Sequence, residues 1–349
     1  MRYELYNFNL KGGLRMYNEI MCNFDNIYKA YKIAHRGKSD DKEVIEFDKN
    51  KMYNLNKILK YLRNKEWDKI FVYYRFKLYV PKERVVDALT FEGRIVQHIL
   101  CDNILKPYFE PKLIKENSAC REDKGTLYAL KLCKSNLVKF LKHNENGYCL
   151  KMDVKKYFPS IDRTILKDLL KDFKDEEIRE LLFYIIDHSP EENGIPVGNQ
   201  TSQWFALYYL NKVDRIIKEK YRIKFYVRYM DDLVIIHESK DYLKRLLNEL
   251  VIVAKSKLKL MFNGKTQIFP LKKGISFLGW KFYFNENKKI ITRIDTSKKR
   301  LRYNNLKKIM QKFKLHLYSL EDFKISLHSM IVNLKFGNTY YYMKALKML

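Results

Sequence analysis

Phe225-Tyr226-Val227-Arg228-Tyr229-Met230-Asp231-Asp232-Leu233-Val234-Ile235-Ile236 decides the reading of this 349-residue chain. Two adjacent carboxylates lie between runs rich in β-branched and aromatic residues, the pattern of strand, tight turn and strand. Side chains alternate along a strand, so neighbouring aspartates at the turn point in different directions. One then suits a divalent-metal ligand and the other a supporting charge. Burying two like charges in an apolar hairpin is costly without a cation. Asp is also a good turn residue, so an ordinary exposed turn is the plain alternative for the tetrapeptide alone.

Upstream, Tyr148-Cys149-Leu150-Lys151-Met152 reads as a short strand leading into Asp153, and Pro159 blocks its simple continuation. A carboxylate at that strand end can meet Asp231-Asp232 on the next strand of the same sheet. Carboxylates gathered this way suit two hard cations, Mg²⁺ or alternatively Mn²⁺, because such ions bind one or two carboxylates plus substrate phosphates. Two metals would clamp the attacking and leaving oxygens of an in-line phosphoryl displacement. Alone, Asp153 reads equally well as a strand-end cap.

These residues resemble a reverse transcriptase of the bacterial retroelement type. Asp153 with Phe158 resembles motif A of that family, and Tyr229-Met230-Asp231-Asp232 resembles motif C. Gly194-Ile195-Pro196-Val197-Gly198-Asn199-Gln200-Thr201-Ser202-Gln203 resembles motif B, and Phe277-Leu278-Gly279-Trp280 the primer grip. Ser118-Ala119-Cys120-Arg121-Glu122-Asp123-Lys124-Gly125-Thr126 resembles the fingers segment that holds the incoming triphosphate. The blocks stand in the family's order over roughly residues 75 to 285. The resemblance implies Asp153, Asp231 and Asp232 as catalytic residues, and the same three with Val154 as metal ligands. Ser202-Gln203, where many relatives carry Pro after the Ser, is similar to the polymerases of diversity-generating retroelements.

The remaining site residues also make physical sense unaided. Arg121 and Lys124, beside Gly125, form a basic finger able to close on a triphosphate, Arg by bidentate contact and Lys as a point charge. A solvated basic loop is the alternative. Phe158 would lie against the incoming sugar and exclude a 2′-hydroxyl, which makes the product DNA; a core aromatic is its other reading. Gly198 allows close backbone approach to a nucleotide or template base. Gln203 to Lys212 read as a helix with Ser202 or Thr201 as its cap. Lys265, within Asn263-Gly264-Lys265-Thr266, would give a proton to departing pyrophosphate, as motif D implies. It is equally a plain turn lysine.

Composition agrees. The 69 Lys and Arg against 41 Asp and Glu give a net charge of +28, the electrostatic footprint of a polyanion partner. Affinity for nucleic acid should fall steeply with salt. Basic residues crowd the C-terminal part, as in Lys298-Lys299-Arg300-Leu301-Arg302, and the 27 tyrosines can stack on bases. Much of the Lys and Tyr content also fits an AT-rich coding sequence. No apolar run is long enough for a transmembrane helix, and Met1-Arg2-Tyr3-Glu4-Leu5-Tyr6-Asn7-Phe8 lacks a signal-peptide core. The five cysteines show no paired spacing and read as reduced cytoplasmic thiols.

The expected fold is α+β, a right-hand polymerase with helical fingers, an antiparallel palm sheet and a small helical thumb. Residues 1–74 read as a helical extension, 75–285 as fingers and palm, and 286–349 as a basic thumb. Expected helices include Ile20 to Ala34, Tyr53 to Asn64, Arg94 to Leu105, Thr126 to Leu141, Asp162 to Asp187 and Tyr242 to Leu258. Phe71 to Val80 reads as a strand, and Ser276 to Phe284 with Lys289 to Ile294 as a hairpin. No RNase H, integrase or zinc endonuclease domain is expected after the thumb.

The expected function is RNA-directed DNA polymerisation on an RNA template, with dNTPs and a DNA or RNA primer. A noncoding RNA and an accessory protein are expected partners, without a membrane. Two contexts fit, a diversity-generating retroelement and an antiphage-defence system. A non-catalytic RNA-binding protein of the same shape is the alternative of another class, and retention of three aspartates in a basic chain argues against it. An RNA-dependent RNA polymerase is disfavoured by Phe158.

Overall fold

The structure, a computed structural model, describes residues 16–79 and 83–345. Val80 and the Met1–Phe8 segment lie outside the described residues. The chain forms two compact units. One holds the residues through Ile114 with Lys156–Lys212 and Ala254–Leu260; the other holds Lys115–Lys155, Val213–Val253 and the chain from Met261 onward. Helices and antiparallel sheets make up both, as the α+β expectation required.

In the first unit, helices Phe24–His35, Lys42–Lys49 and Lys51–Arg63 each bury one apolar stripe. The side chains of Asn23 and Asp41 cap the first two. Strand β1 (Tyr73–Leu78) pairs antiparallel with β2 (Arg84–Leu89), so the expected long strand is shorter and β2 is an addition. The following helix, Phe91–Leu100, starts ahead of the expected Arg94 because Glu43 accepts a hydrogen bond from the Phe91 amide at 2.6 Å. The expected helix Asp162 to Asp187 is two, Arg163–Leu170 and Glu176–Asp187. Asp175 splits them: its buried carboxylate caps the second through Ile178 N (2.9 Å) and accepts from Tyr17 N (3.3 Å). The motif B helix runs Gln200–Tyr209. Thr201 and Ser202 are therefore buried within its first turn, not caps, and Thr201 accepts from Gln97 Nε2 at 3.0 Å.

The second unit carries a four-stranded antiparallel sheet of order β4-β5-β3-β6, with β3 Tyr148–Asp153, β4 Phe225–Tyr229, β5 Asp232–His237 and β6 Gln267–Pro270. Alternation drives one face of these strands onto helix Thr126–His143. Ala129, Leu137 and Phe140 there join Val227, Val234 and Ile236 in one core. Asn136 on that helix, itself buried, donates to the Tyr226 carbonyl at 3.0 Å.

A second sheet, β7 (Ile275–Phe277), β8 (Trp280–Phe284) and β9 (Ile290–Ile294), contributes Phe277, Trp280 and Phe282 to the same core. Leu278 and Gly279 both take positive φ (47° and 82°) in the two-residue turn joining β7 to β8, the geometry that matches strand twist. The basic helix Thr296–Lys314 and then helix Leu320–Leu334 follow, the latter opened by a Ser319–Asp322 capping box. All five cysteines are free, and no described helix is long and apolar enough to cross a membrane.

Trp280 is 1% exposed, meets Phe336 edge-on at 5.3 Å between centroids, and lies so close to Gly337 that a Cβ there would reach its ring at 2.3 Å. Trp280→Ala should cost about 3–5 kcal/mol of stability in urea unfolding. A loss under about 1 kcal/mol would show that this core is not the one holding the second unit together.

Candidate active site

The site is built on the central strand pair of the second unit. β3 and β5 run antiparallel with Asp153 directly opposite Asp232, and the register places Lys151 opposite Val234. Residues two apart share a face, so Lys151, Asp153 and Asp232 lie on one side of the sheet. The β4–β5 hairpin closes with Tyr229 opposite Asp232, leaving Met230 and Asp231 as its two loop residues. Met230 takes φ +54°, a left-handed conformation that costs a non-glycine residue about 1–2 kcal/mol.

The three carboxylates burden one another. Burial first, then the charge of Asp153 close enough to share a hydrogen bond, pushes Asp231 up from 3.8 to about 6. Burial also pushes Asp232 up, to about 7; Lys151 pulls the other way, while Asp153 and Asp231 add to the rise. Lys151 Nζ stands 3.7 Å from Asp232 Oδ2 and donates to the Ser276 carbonyl at 2.7 Å. Asp153 Oδ2 accepts from Asn263 Nδ2 at 3.2 Å, and its carbonyl accepts from the Asn263 amide at 2.6 Å.

Asp232 Oδ1 is buried with no hydrogen-bond partner. Hard oxygen donors, an orphaned carboxylate oxygen and mutual repulsion fit a divalent cation. Asp153, Asp231 and Asp232 would hold it. Val154, whose side chain is buried at a bridge to Phe262, has only its main-chain carbonyl to offer. Among the described residues no group of three or more His, Cys, Asp or Glu is arranged to hold a metal ion by itself, and substrate phosphates would have to complete the coordination.

The expected residues divide between the units. Lys265 is exposed and lines a cleft of about 390 Å³ with Lys151, Asp153, Asp232, Lys273 and Lys281. Its amide is held by Asn263 Oδ1 at 3.0 Å. Arg121 and Lys124 share the second unit with the aspartates, and both fold back on their own loop. Arg121 Nη1 donates to the Asn117 carbonyl (2.9 Å) and Lys124 Nζ to that of Lys115 (3.0 Å). Phe158, Gly198 and Gln203 belong to the first unit. Phe158 is half-buried, and its carbonyl accepts from Ile195 N at 3.1 Å. Gly198 takes φ +111°, and a Cβ there would meet Val86 at 2.8 Å. Gln203 is half-buried on the motif B helix.

Lys151, Asn263 and the Arg228–Asp214 pair were not singled out from sequence. Lys151 was readable, since it lies two residues before Asp153 and must share its face. Arg228 carried a weaker signal, a charge inside an apolar strand.

A family model described as reverse transcriptase (RNA-dependent DNA polymerase) matches residues 79–282. Among solved structures, apo telomerase from Candida tropicalis, truncated from its C-terminal domain, is similar at 15% identity and TM-score 0.48, over 65% of this chain and 55% of that one. Telomerase from Candida albicans in complex with a TWJ fragment of telomeric RNA is similar at 12% identity and TM-score 0.46, over 81% and 60%. The chain thus spans little more than half the length of these structures. No curated protein matches the sequence.

A carboxylate whose folded-state pKa is raised contributes no penalty below its unfolded value, and its full penalty above the folded one. For Asp231 and Asp232 the window runs from about 4 to about 7. With divalent cations chelated, this pair should lower the melting temperature as pH rises through that window. Mg²⁺ should restore more at about pH 8 than at about pH 5, and Asp232→Asn should flatten the difference. An equal Mg²⁺ effect at both pH values would place the cation elsewhere.

Proposed function

The chain belongs to the reverse transcriptase (RNA-dependent DNA polymerase) family, and we propose that it copies RNA into DNA by adding dNTPs to a primer 3′-hydroxyl. The observation that carries this reading is the register that sets Asp153 opposite Asp232 beside the Met230-Asp231 turn. Mg²⁺, if bound there, would supply charge neutralisation at the reacting phosphate. The protein's own contribution is position and electrostatics. Asp153 and Asp231 would hold the cation, and Asp232, braced by Lys151, would support them.

Lys265, in the same cleft, gives a proton to the departing pyrophosphate. Arg121 and Lys124 turn from their own loop carbonyls to the triphosphate. Phe158 lies against the sugar and excludes ribonucleotides; Gly198 and Gln203 attend the template and incoming base.

The natural template is an RNA, and a noncoding RNA and an accessory protein supply priming and template choice. Ser202-Gln203 supports a bacterial diversity-generating retroelement in preference to an antiphage-defence context. Reaction with Mg²⁺ and a cytoplasmic location complete this reading.

Primer extension on poly(rA)·oligo(dT) with Mg²⁺ and labelled dTTP should show synthesis by wild type and only background with Asp231→Ala/Asp232→Ala. Equal synthesis by both proteins would remove the assignment of the aspartates. Silence of wild type, repeated with co-purified RNA and with RNA binding unaffected by the mutation, would favour a binding protein. Phe158→Ala should raise ribonucleotide incorporation by on the order of 10-fold. Unchanged selectivity would take the sugar gate away from Phe158.

A further inference from the structure

Beneath the catalytic turn sits a charged residue that no role above uses. Arg228, on β4, is 0% exposed, and so is its partner Asp214 on the short helix Asn211–Arg215. Arg228 Nε lies 2.8 Å from Asp214 Oδ1, and Nη2 lies 2.6 Å from Oδ2, a bidentate fork. Tyr226 Oη donates to Asp214 Oδ1 at 2.7 Å, which fixes the carboxylate from a second side. The remaining guanidinium arm, Nη1, donates to the Met230 carbonyl at 2.9 Å. That carbonyl belongs to the residue held at φ +54°, immediately before Asp231.

The main chain of the same residue reaches the other way. Arg228 N donates to the Glu116 carbonyl (3.0 Å), and the Arg228 carbonyl accepts from Ser118 N (2.9 Å). These two bonds set Asn117 beside Arg228 in a parallel bridge. The loop so seated is the one whose Asn117 carbonyl receives Arg121 and whose Ser118 carbonyl accepts from Gly125 N at 2.8 Å.

We propose that Arg228 is the positioning residue of this site. Its guanidinium, locked on Asp214, holds the strained turn that presents Asp231 and Asp232, while its backbone seats the loop carrying Arg121 and Lys124. A buried ion pair is weak evidence for stability, since apolar residues of similar volume often replace one without loss. What such a replacement cannot supply is the donor to the Met230 carbonyl. Lysine cannot supply it either, because one ammonium on a flexible stem does not reproduce a planar fork. The link to dNTP use rests on the polymerase reading above; the link to cation binding does not.

The test compares wild type, Arg228→Lys and the triple variant Tyr226→Phe/Arg228→Met/Asp214→Leu, which leaves no orphaned partner among the three side chains. Fold is followed by circular dichroism and thermal melting, cation binding by Mn²⁺ paramagnetic resonance without nucleic acid, and synthesis by KM for dTTP and kcat. Both variants should fold, bind Mn²⁺ at least 10-fold more weakly, and lose at least 10-fold in kcat with a raised KM for dTTP.

A folded triple variant with Mn²⁺ affinity and kcat within twofold of wild type would overturn the proposal, since the pair would then be packing alone. If the triple variant does not fold, Arg228→Lys decides by the same thresholds. Wild type that binds Mn²⁺ in an Asp232-dependent way, yet extends no primer, would defeat the polymerase reading and leave the weaker Mn²⁺ binding of the variants as support for this one.

Discussion

Two carboxylates set directly across a pair of hydrogen-bonded strands are the constraint to which the rest of the second unit answers. Like charges opposite each other destabilise a sheet, and Asp153 faces Asp232 with Asp231 one residue away. The neighbours compensate in kind. Lys151 reaches diagonally to Asp232, Asn263 donates to Asp153, and the Arg228 guanidinium lies under the turn. Each of these is anchored by a second bond, to the Ser276 carbonyl, the Asp153 backbone or Asp214. The carboxylates are thus held in place by neighbours that still leave Asp232 Oδ1 without a hydrogen-bond partner.

What the sequence made legible follows from which signals are local. The β4–β5 hairpin was readable because β-branched runs and an acidic turn lie within twelve residues. The strand ending at Asp153 was readable because Pro159 marks where it must stop. The divided helix around Asp175 was missed although an Asp followed by Glu176 and Glu177 is a helix-start signal. Hydrophobic spacing on both sides concealed the break.

Other features were not local at all. The motif B helix begins at Gln200 because Gln97, on a helix distant in sequence, accepts from the Gln200 amide and donates to the Thr201 hydroxyl. A four-residue strand such as β6 is too short for periodicity to reveal, and it forms because β3 offers it an edge. The purpose of Arg228 appears only when Asp214 is placed beside it. Buried charges become interpretable in pairs, and pairing is a property of the fold.

Gly194 carries a consequence for how substrate choice is inherited. Its φ of +75° and its contact with the short helix Tyr157–Ser160 leave no space for a side chain: a Cβ would meet the Phe158 carbonyl at 2.3 Å and the Pro159 Cα at 2.5 Å. The backbone of Phe158 is therefore pressed from behind by a residue with no side chain at all. The proposed discrimination between sugars then depends on two codons, one for the ring and one for the empty space that sets its depth. Drift at the second would alter the proposed selectivity while the Phe158 ring itself stayed intact.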